Sequence, residues 1–360
     1  MRTGRKPHRK ARTALCLASA LMLLLVAAVP IASGTGDGTV TVISRMPKAL
    51  WRASAIWTGT EALIFGGRDF GTVFSDILSY SVSGNSVRIK GNLPDSTMSS
   101  PAVWDGGSAF IFTGENDSSR VNRVLKYNPV DNVTTLMNAK FPTGRAGASA
   151  IWDGRNAYIF GGFDGTSQLT EIVRYNASSD TLTLMSARLP TTRGGTSAVW
   201  TGTSAYIFGG RNQTVIFDSI LKYDPETDSI GILNVSLPSP RFHPSAVWDG
   251  ESAYIFGGRN STTALDEIVR FTPTTNTVTL LSVRLPGTRE MTTAIWDGGS
   301  AYIFGGESDA GAALTEIVKF DPKGVDEQNA SSIVWIGLMA ALAVVIVLLF
   351  VGIRLRKKRN

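Results

Sequence analysis

An eleven-residue stretch, WDGRNAYIFGG (152–162), occurs six times with small changes, and its spacing constrains the fold more than any other feature of the chain. The tryptophans that open the copies stand at 57, 104, 152, 200, 248 and 296, one step of 47 and four of 48. A fixed period of this length marks a propeller or solenoid array, in which each unit buries its apolar face only against its neighbours. Other residues keep the phase. An aromatic follows each Trp at a constant interval (Tyr80, Tyr127, Tyr175, Tyr223, Phe271), lengthened by one at Phe320, and a Pro precedes each by ten.

Each unit reads as four short strands. SAVW (245–248) is the first, and the Asp-Gly or Thr-Gly after it is a tight hairpin, with Gly59, Gly106, Gly154, Gly202, Gly250 and Gly298 supplying positive φ. AYIF closed by Gly-Gly is the second, EIVRY (171–175) the third, and the alternating TLTLMS (181–186) a half-exposed fourth. Four strands per unit at this period predict a propeller blade. The sixth unit stops after its third strand, EIVKFDP (316–322), while TVTVIS (39–44) matches the fourth strand of unit five, TVTLLS (277–282). The N-terminal strand is therefore expected to complete the last blade and close the ring, which removes an exposed sheet edge.

Double glycine after the second strand, an aromatic ending the third and an Asp-Pro turn resemble kelch repeats over residues 39–322. The resemblance implies an all-β, six-bladed kelch-type propeller. The chain departs from the family pattern where a Trp usually follows the third-strand aromatic by seven residues, a position held here by Val87, Thr134, Leu182, Ile230 and Val278. Unit two also has Thr113-Gly114 in place of Gly-Gly.

The ends of the chain read as address. Residues 1–13 hold six Lys/Arg and no acid, and the apolar Ala14–Val29 and small Ala32, Ser33 and Gly34 follow, so 1–34 is expected to be a secretory signal peptide. Ile333 to Ile353 is an unbroken run without charge, long enough for one C-terminal transmembrane helix, and the basic tail 354–360 marks the cytoplasmic side. Residues 35–330 are then the propeller, outside the cell membrane. The whole chain is +6, but the first segment and the tail hold six and five of the 35 basic residues, which leaves 24 against 29 acidic. The basic balance thus belongs to the ends and gives no argument for nucleic acid.

Cys16 lies in the signal, so no disulfide or thiolate site is expected in the mature chain, and His243 is its one histidine. No cofactor or metal is expected, and His243 reads as a loop or packing residue. Asp105, Asp153, Asp249 and Asp297 after the tryptophans read as turn residues, and the tryptophans as interblade core. Seven N-x-S/T sequons, at Asn116, Asn132, Asn176, Asn212, Asn234, Asn260 and Asn329, are candidate glycosylation sites.

Arginines supply the candidate ligand contacts. Arg145, Arg193, Arg241 and Arg289 each stand seven residues before their Trp, where units one and two have Leu50 and Thr97. Arg68, Arg211 and Arg259 follow their double glycines. Up-and-down connectivity puts both sets on one face, the first near the channel mouth, where kelch arginines often meet acidic partners. Guanidinium groups suit carboxylate or phosphate by bidentate bonding. The first set reads equally as an internal ion-pair ring with acids of neighbouring blades. Because the third strand of unit six ends on the opposite face, at Phe320 and only a short connection before Ile333, the arginine face is expected to look outward.

The function expected is a non-catalytic surface module that binds an extracellular protein or glycan of anionic character. The alternative is a carbohydrate-active enzyme, similar to a sialidase or a sialic-acid mutarotase.

Overall fold

The structure, a computed structural model, describes residues 37–324 with the exception of Asp117. Residues 1–34, Ile333 to Ile353 and the tail 354–360 lie outside the described residues, as does Asn329. Among the described residues no helix is long and apolar enough to cross a membrane.

Six four-stranded antiparallel sheets make the fold, one for each repeat. In blade 1 the strands are Ser54–Trp57, Glu61–Phe65, Asp76–Ser81 and Ser86–Asn92, from the innermost outward. Blade 6 takes Thr293–Trp296, Ala301–Phe304 and Glu316–Asp321 from the end of the array, and Thr39–Arg45 from its beginning. Thr39 faces Asp321 and Val40 faces Phe320 in that closing pair. The ring closure expected from TVTVIS is therefore present. In every blade the outer strand carries a bulge against the third. These strands are the sheet edges, and a bulge there discourages pairing with another chain.

Burial follows from being sandwiched. The second strands, such as Ala205–Phe208, are buried throughout except at Glu61 because a blade lies on each side of them, while outer strands alternate. Six separate cores result, one for each interface between adjacent blades. At each interface the third-strand aromatic meets the last Phe of the preceding blade's second strand edge-on. The six pairs, Phe304–Tyr80, Phe65–Tyr127, Phe112–Tyr175, Phe160–Tyr223, Phe208–Phe271 and Phe256–Phe320, have centroids 5.5–5.9 Å apart at 69–75°. Such pairs add about 0.5–1.5 kcal/mol each beyond area burial.

A polar latch lies above each aromatic pair. Asn85, Asn132, Asp180, Asp228 and Asn276 take a left-handed conformation in the turn between third and outer strands. Each reaches the preceding blade's outer strand, through Asn85 Nδ2 to Ile43 O, Asn132 Nδ2 to Lys90 O, Asn138 N to Asp180 Oδ2, Ser186 N to Asp228 Oδ2 and Asn276 Nδ2 to Asn234 Oδ1. Asp37, just before the closing strand, accepts from Ser282 N and completes the set. Asn and Asp suit the position because they tolerate positive φ and reach across with a short side chain.

The double glycines lie where the connection into the next blade passes against the end of the second strand. A Cβ on Gly161, the first of its pair, would stand 2.3 Å from the Arg193 carbonyl oxygen, so only hydrogen fits. Gly162 N then donates to that same carbonyl at 3.1 Å.

Candidate functional site at the channel mouth

The inner strands leave a channel along the propeller axis, and its two ends differ. At the end bearing the Asp-Gly turns, all six repeat tryptophans line an apolar bowl of about 260 Å³ with Ala, Val and Ile. Each Trp also packs into an interblade core, as its spacing implied; Trp152 and Trp296 stack on Phe110 and Tyr254 of the preceding blades. Asp105, Asp153, Asp249 and Asp297 cap their own turns, each Oδ1 accepting from two backbone N–H groups.

At the other end, five residues before each Trp, stand Arg52, Ser99, Gly147, Gly195, His243 and Met291, all with φ between 54° and 67°. Their backbones form a closed circle of hydrogen bonds. Ser99 N donates to Arg52 O, Gly147 to Ser99, Gly195 to Gly147, His243 to Gly195, Met291 to His243 and Arg52 to Met291, at 2.7–3.0 Å. Blades 3 and 4 use glycine, which adopts this conformation freely, whereas four blades hold a side chain there at a cost of order 1 kcal/mol each. A second circle, eleven residues after each Trp, holds Arg68, Glu115, Phe163, Arg211, Arg259 and Glu307. Each of these bridges antiparallel to the connection entering its own blade, as Phe163 does to Ala146. The backbone is six-fold here, while the side chains vary, with five residue types in the first circle and three in the second.

Charges converge on this mouth. Arg52 pairs with Glu115 at 2.8 Å, which Arg120 also approaches at 3.5 Å. Arg259 lies 3.0 Å from Glu290, and His243 Nδ1 is 3.5 Å from the other oxygen of that carboxylate. Arg211 is exposed, lies over the Phe242 ring at 4.4 Å and has no acidic partner among the described residues. Burial holds the His243 imidazole below its ordinary pKa, with the cations Arg52 and Arg211 acting the same way and Glu290 opposing them. Burial raises the Glu307 carboxyl, and the Glu290 charge adds to that shift.

The structure corrects the placement of the other arginine set. Arg145, Arg193, Arg241 and Arg289 are at most 1% exposed and reach neither the mouth nor solvent. Arg145, Arg241 and Arg289 pair with Glu171, Glu267 and Glu316, the last at 2.9 Å. These acids belong to the blade that the arginine leads into, so the pairs lie within blades and form no ring between neighbours. Arg193 faces Ser219 instead, donating to its Oγ at 3.2 Å and to Gly209 O at 3.0 Å, and burial lowers its pKa to about 10. In blade 1, where Leu50 replaces the arginine, Lys48 pairs with Asp76. Blade 2 reverses the signs, with Asp95 on Arg123. The cation and anion shift together, as a structural pair requires.

Arg68, Arg211 and Arg259 do stand on the mouth face, as expected. Arg52, Arg120, Glu115, Glu290 and Glu307 were not singled out by sequence; their signal was a fixed distance from the tryptophans, masked because residue type changes from blade to blade. Six sequons can be placed. In Asn116, Asn176, Asn212 and Asn260, Oδ1 accepts from two backbone N–H groups of its own turn, leaving the amide nitrogen without a partner among the described residues. Asn132 and Asn234 instead belong to the interblade latches.

Comparison with known families agrees with this architecture. The family model described as "KLHDC2/KLHL20/DRC7 Kelch-repeats domain" matches residues 52–234 and 195–336. No curated protein matches the chain.

Proposed function

The chain belongs to the kelch-repeat family, whose propellers serve in general as protein-interaction modules, and from that premise we propose that it is a non-catalytic binding module of the cell surface. In this reading 1–34 directs secretion, Ile333 to Ile353 anchors the chain by one helix, and the propeller lies outside with the tail 354–360 in the cytoplasm. The partner is an extracellular protein, or a glycan carried on one, of anionic character.

One observation carries the proposal: the two inner strands of each blade and the turn that joins them at the tryptophan end keep nearly the same residues from blade to blade, whereas those around the mouth and in the loops after the double glycines change. A rigid frame that presents differing side chains at one end is the usual arrangement of a recognition surface. Glycans on Asn116, Asn212 and Asn260 would project from the rim of that face and leave its centre open. The chain leaves the last blade at Asp321, at the tryptophan end, which supports a reading in which the anchor follows on that side and the mouth faces outward.

The test is to present the full-length protein in lipid nanodiscs to a panel of secreted and cell-surface proteins and glycans. Hits are then compared with Arg68→Ala, Arg211→Ala and Arg259→Ala. Loss of binding by about tenfold or more in the arginine variants is expected. Hits that ignore all three substitutions would overturn the proposal.

A further inference from the structure

The mouth is not evenly filled. Over blades 2 to 4 a cavity of about 210 Å³ opens above Gly147, Gly194 and Gly195, which contribute no side chains. Charged and polar groups from five blades surround it: Arg52, Arg120, Gln168, Arg211, His243 and the acid Glu115. Three arginines against one glutamate leave a net charge of +2 with His243 neutral. Glu115 is shared between Arg52 and Arg120, and Arg211 is unpaired among the described residues. Arg120 Nε is a buried donor without a hydrogen-bond partner.

These features specify a ligand. An excess of two positive charges is matched by a dianion better than by one carboxylate. Donors that approach from different blades around the cavity suit a tetrahedral group, whereas a carboxylate is satisfied by a single fork from one side. Guanidinium is the donor proteins use for sulfate and phosphate in such settings.

His243 joins this cavity to the acidic side of the mouth. A Cβ on Gly195 would stand 2.6 Å from His243 Cδ2 and 2.9 Å from Nε2, so the imidazole lies against that glycine and its Nε2 edge borders the cavity. Its Nδ1 edge faces Glu290, and neither Nδ1 nor Glu290 Oε2 has a hydrogen-bond partner. Without an anion, burial and, beside it, the facing Arg52 and Arg211 disfavour an imidazolium, and Arg259 engages the other oxygen of Glu290. A dianion in the cavity offsets those cations and places negative charge on both edges of the ring.

We propose that this cavity is a binding site for a sulfate or phosphate group, and that His243 takes up a proton when the site fills. The inference deepens the reading of this face as the binding face. Affinity then rises as the pH falls, because the bound state holds one more proton than the free state.

The probe is sodium sulfate, titrated calorimetrically into the full-length protein at constant ionic strength, with acetate as the monoanion control. Between about pH 8 and about pH 5.5, a range that brackets the ordinary histidine pKa, sulfate binding should tighten about tenfold or more and exceed acetate binding throughout. His243→Asn, which tolerates the left-handed backbone, should retain the fold and reduce the pH effect to less than about twofold. Arg211→Ala should weaken sulfate at both pH values. O-Phosphotyrosine and glucose 6-phosphate, whose phosphate groups are dianionic at about pH 8, run beside the free ion at that pH, show which carrier the site accepts, and saturable binding of either supports the assignment. Absence of saturable sulfate binding, or a pH effect that survives in His243→Asn, would overturn it. Partner binding that is kept while sulfate fails sinks this inference alone. Sulfate binding kept while partner binding ignores the arginines sinks the wider reading alone.

Discussion

The two ends of the channel are built from the same six strands, yet one repeats and the other does not. At the lower end every blade supplies a tryptophan to the bowl. At the upper end the residue five positions earlier is Arg, Ser, Gly, Gly, His or Met on an unchanged backbone circle. Packing explains repetition, since each tryptophan packs into an interblade core. It does not explain variation accompanied by backbone strain at four positions where glycine would serve. The contrast separates what the ring needs in order to close from what the open end presents.

The largest effect expected concerns closure. Deleting residues 37–45 removes the outer strand of blade 6 and bares the edge of Glu316–Asp321. The melting temperature should fall by roughly 10 °C or more, with aggregation through the exposed edge. An unchanged melt would mean that the ring does not depend on its N-terminal strand.

Next come the buried arginines, which lie between the two ends. Arg241→Met leaves the partly exposed Glu267 carboxylate with Ser239 Oγ and no cation, and should destabilise by about 2 kcal/mol. Arg193→Met strands no charge, because Ser219 faces it, and should cost about 1 kcal/mol or less. Neither should weaken ligand binding at the mouth. If both variants melted like the wild type and lost binding, these arginines would belong to the binding site after all. Thermal melts with sulfate titrations decide between the two.

These arginines also show how far the sequence could be read. Blade number, strand order and the N-terminal closing strand were legible because period, turn glycines and alternation are local signals that repeat. The double glycine was visible, but its reason was not: a carbonyl from the connection into the next blade occupies the space of the missing Cβ. For the arginine seven residues before each Trp, chain position gave the right neighbourhood and the wrong depth. Its burial depends on a partner at the start of its blade's third strand, far along the chain. The changing identities at that partner position (Asp76, Arg123, Glu171, Ser219, Glu267, Glu316) hid the pairing. Arg52 and Glu290 were illegible for the same reason, since their distance from the tryptophan repeats in every blade while the residue type does not.

A smaller effect isolates the strain at the mouth. Ser99 has φ 55° and its side chain makes no hydrogen bond among the described residues, so Ser99→Gly should stabilise by about 0.5–1 kcal/mol. Gly147→Ala is the converse, with φ 64° and no atom closer than 3.5 Å to the added Cβ, so its cost of about 1 kcal/mol is conformational rather than steric. Denaturant midpoints at unchanged slope would report both. A Gly147→Ala chain as stable as the wild type would remove strain from the account.

The most direct test of the contrast between the ends is site-specific photo-crosslinking on intact cells. One benzophenone side chain replaces Val215, exposed in a loop on the mouth face, and another replaces Glu251, exposed in an Asp-Gly turn at the tryptophan end. Adducts to a partner should form from position 215, be lost with Arg211→Ala, and be absent from position 251. Adducts that form only from position 251 would contradict the claim that the mouth is the functional end.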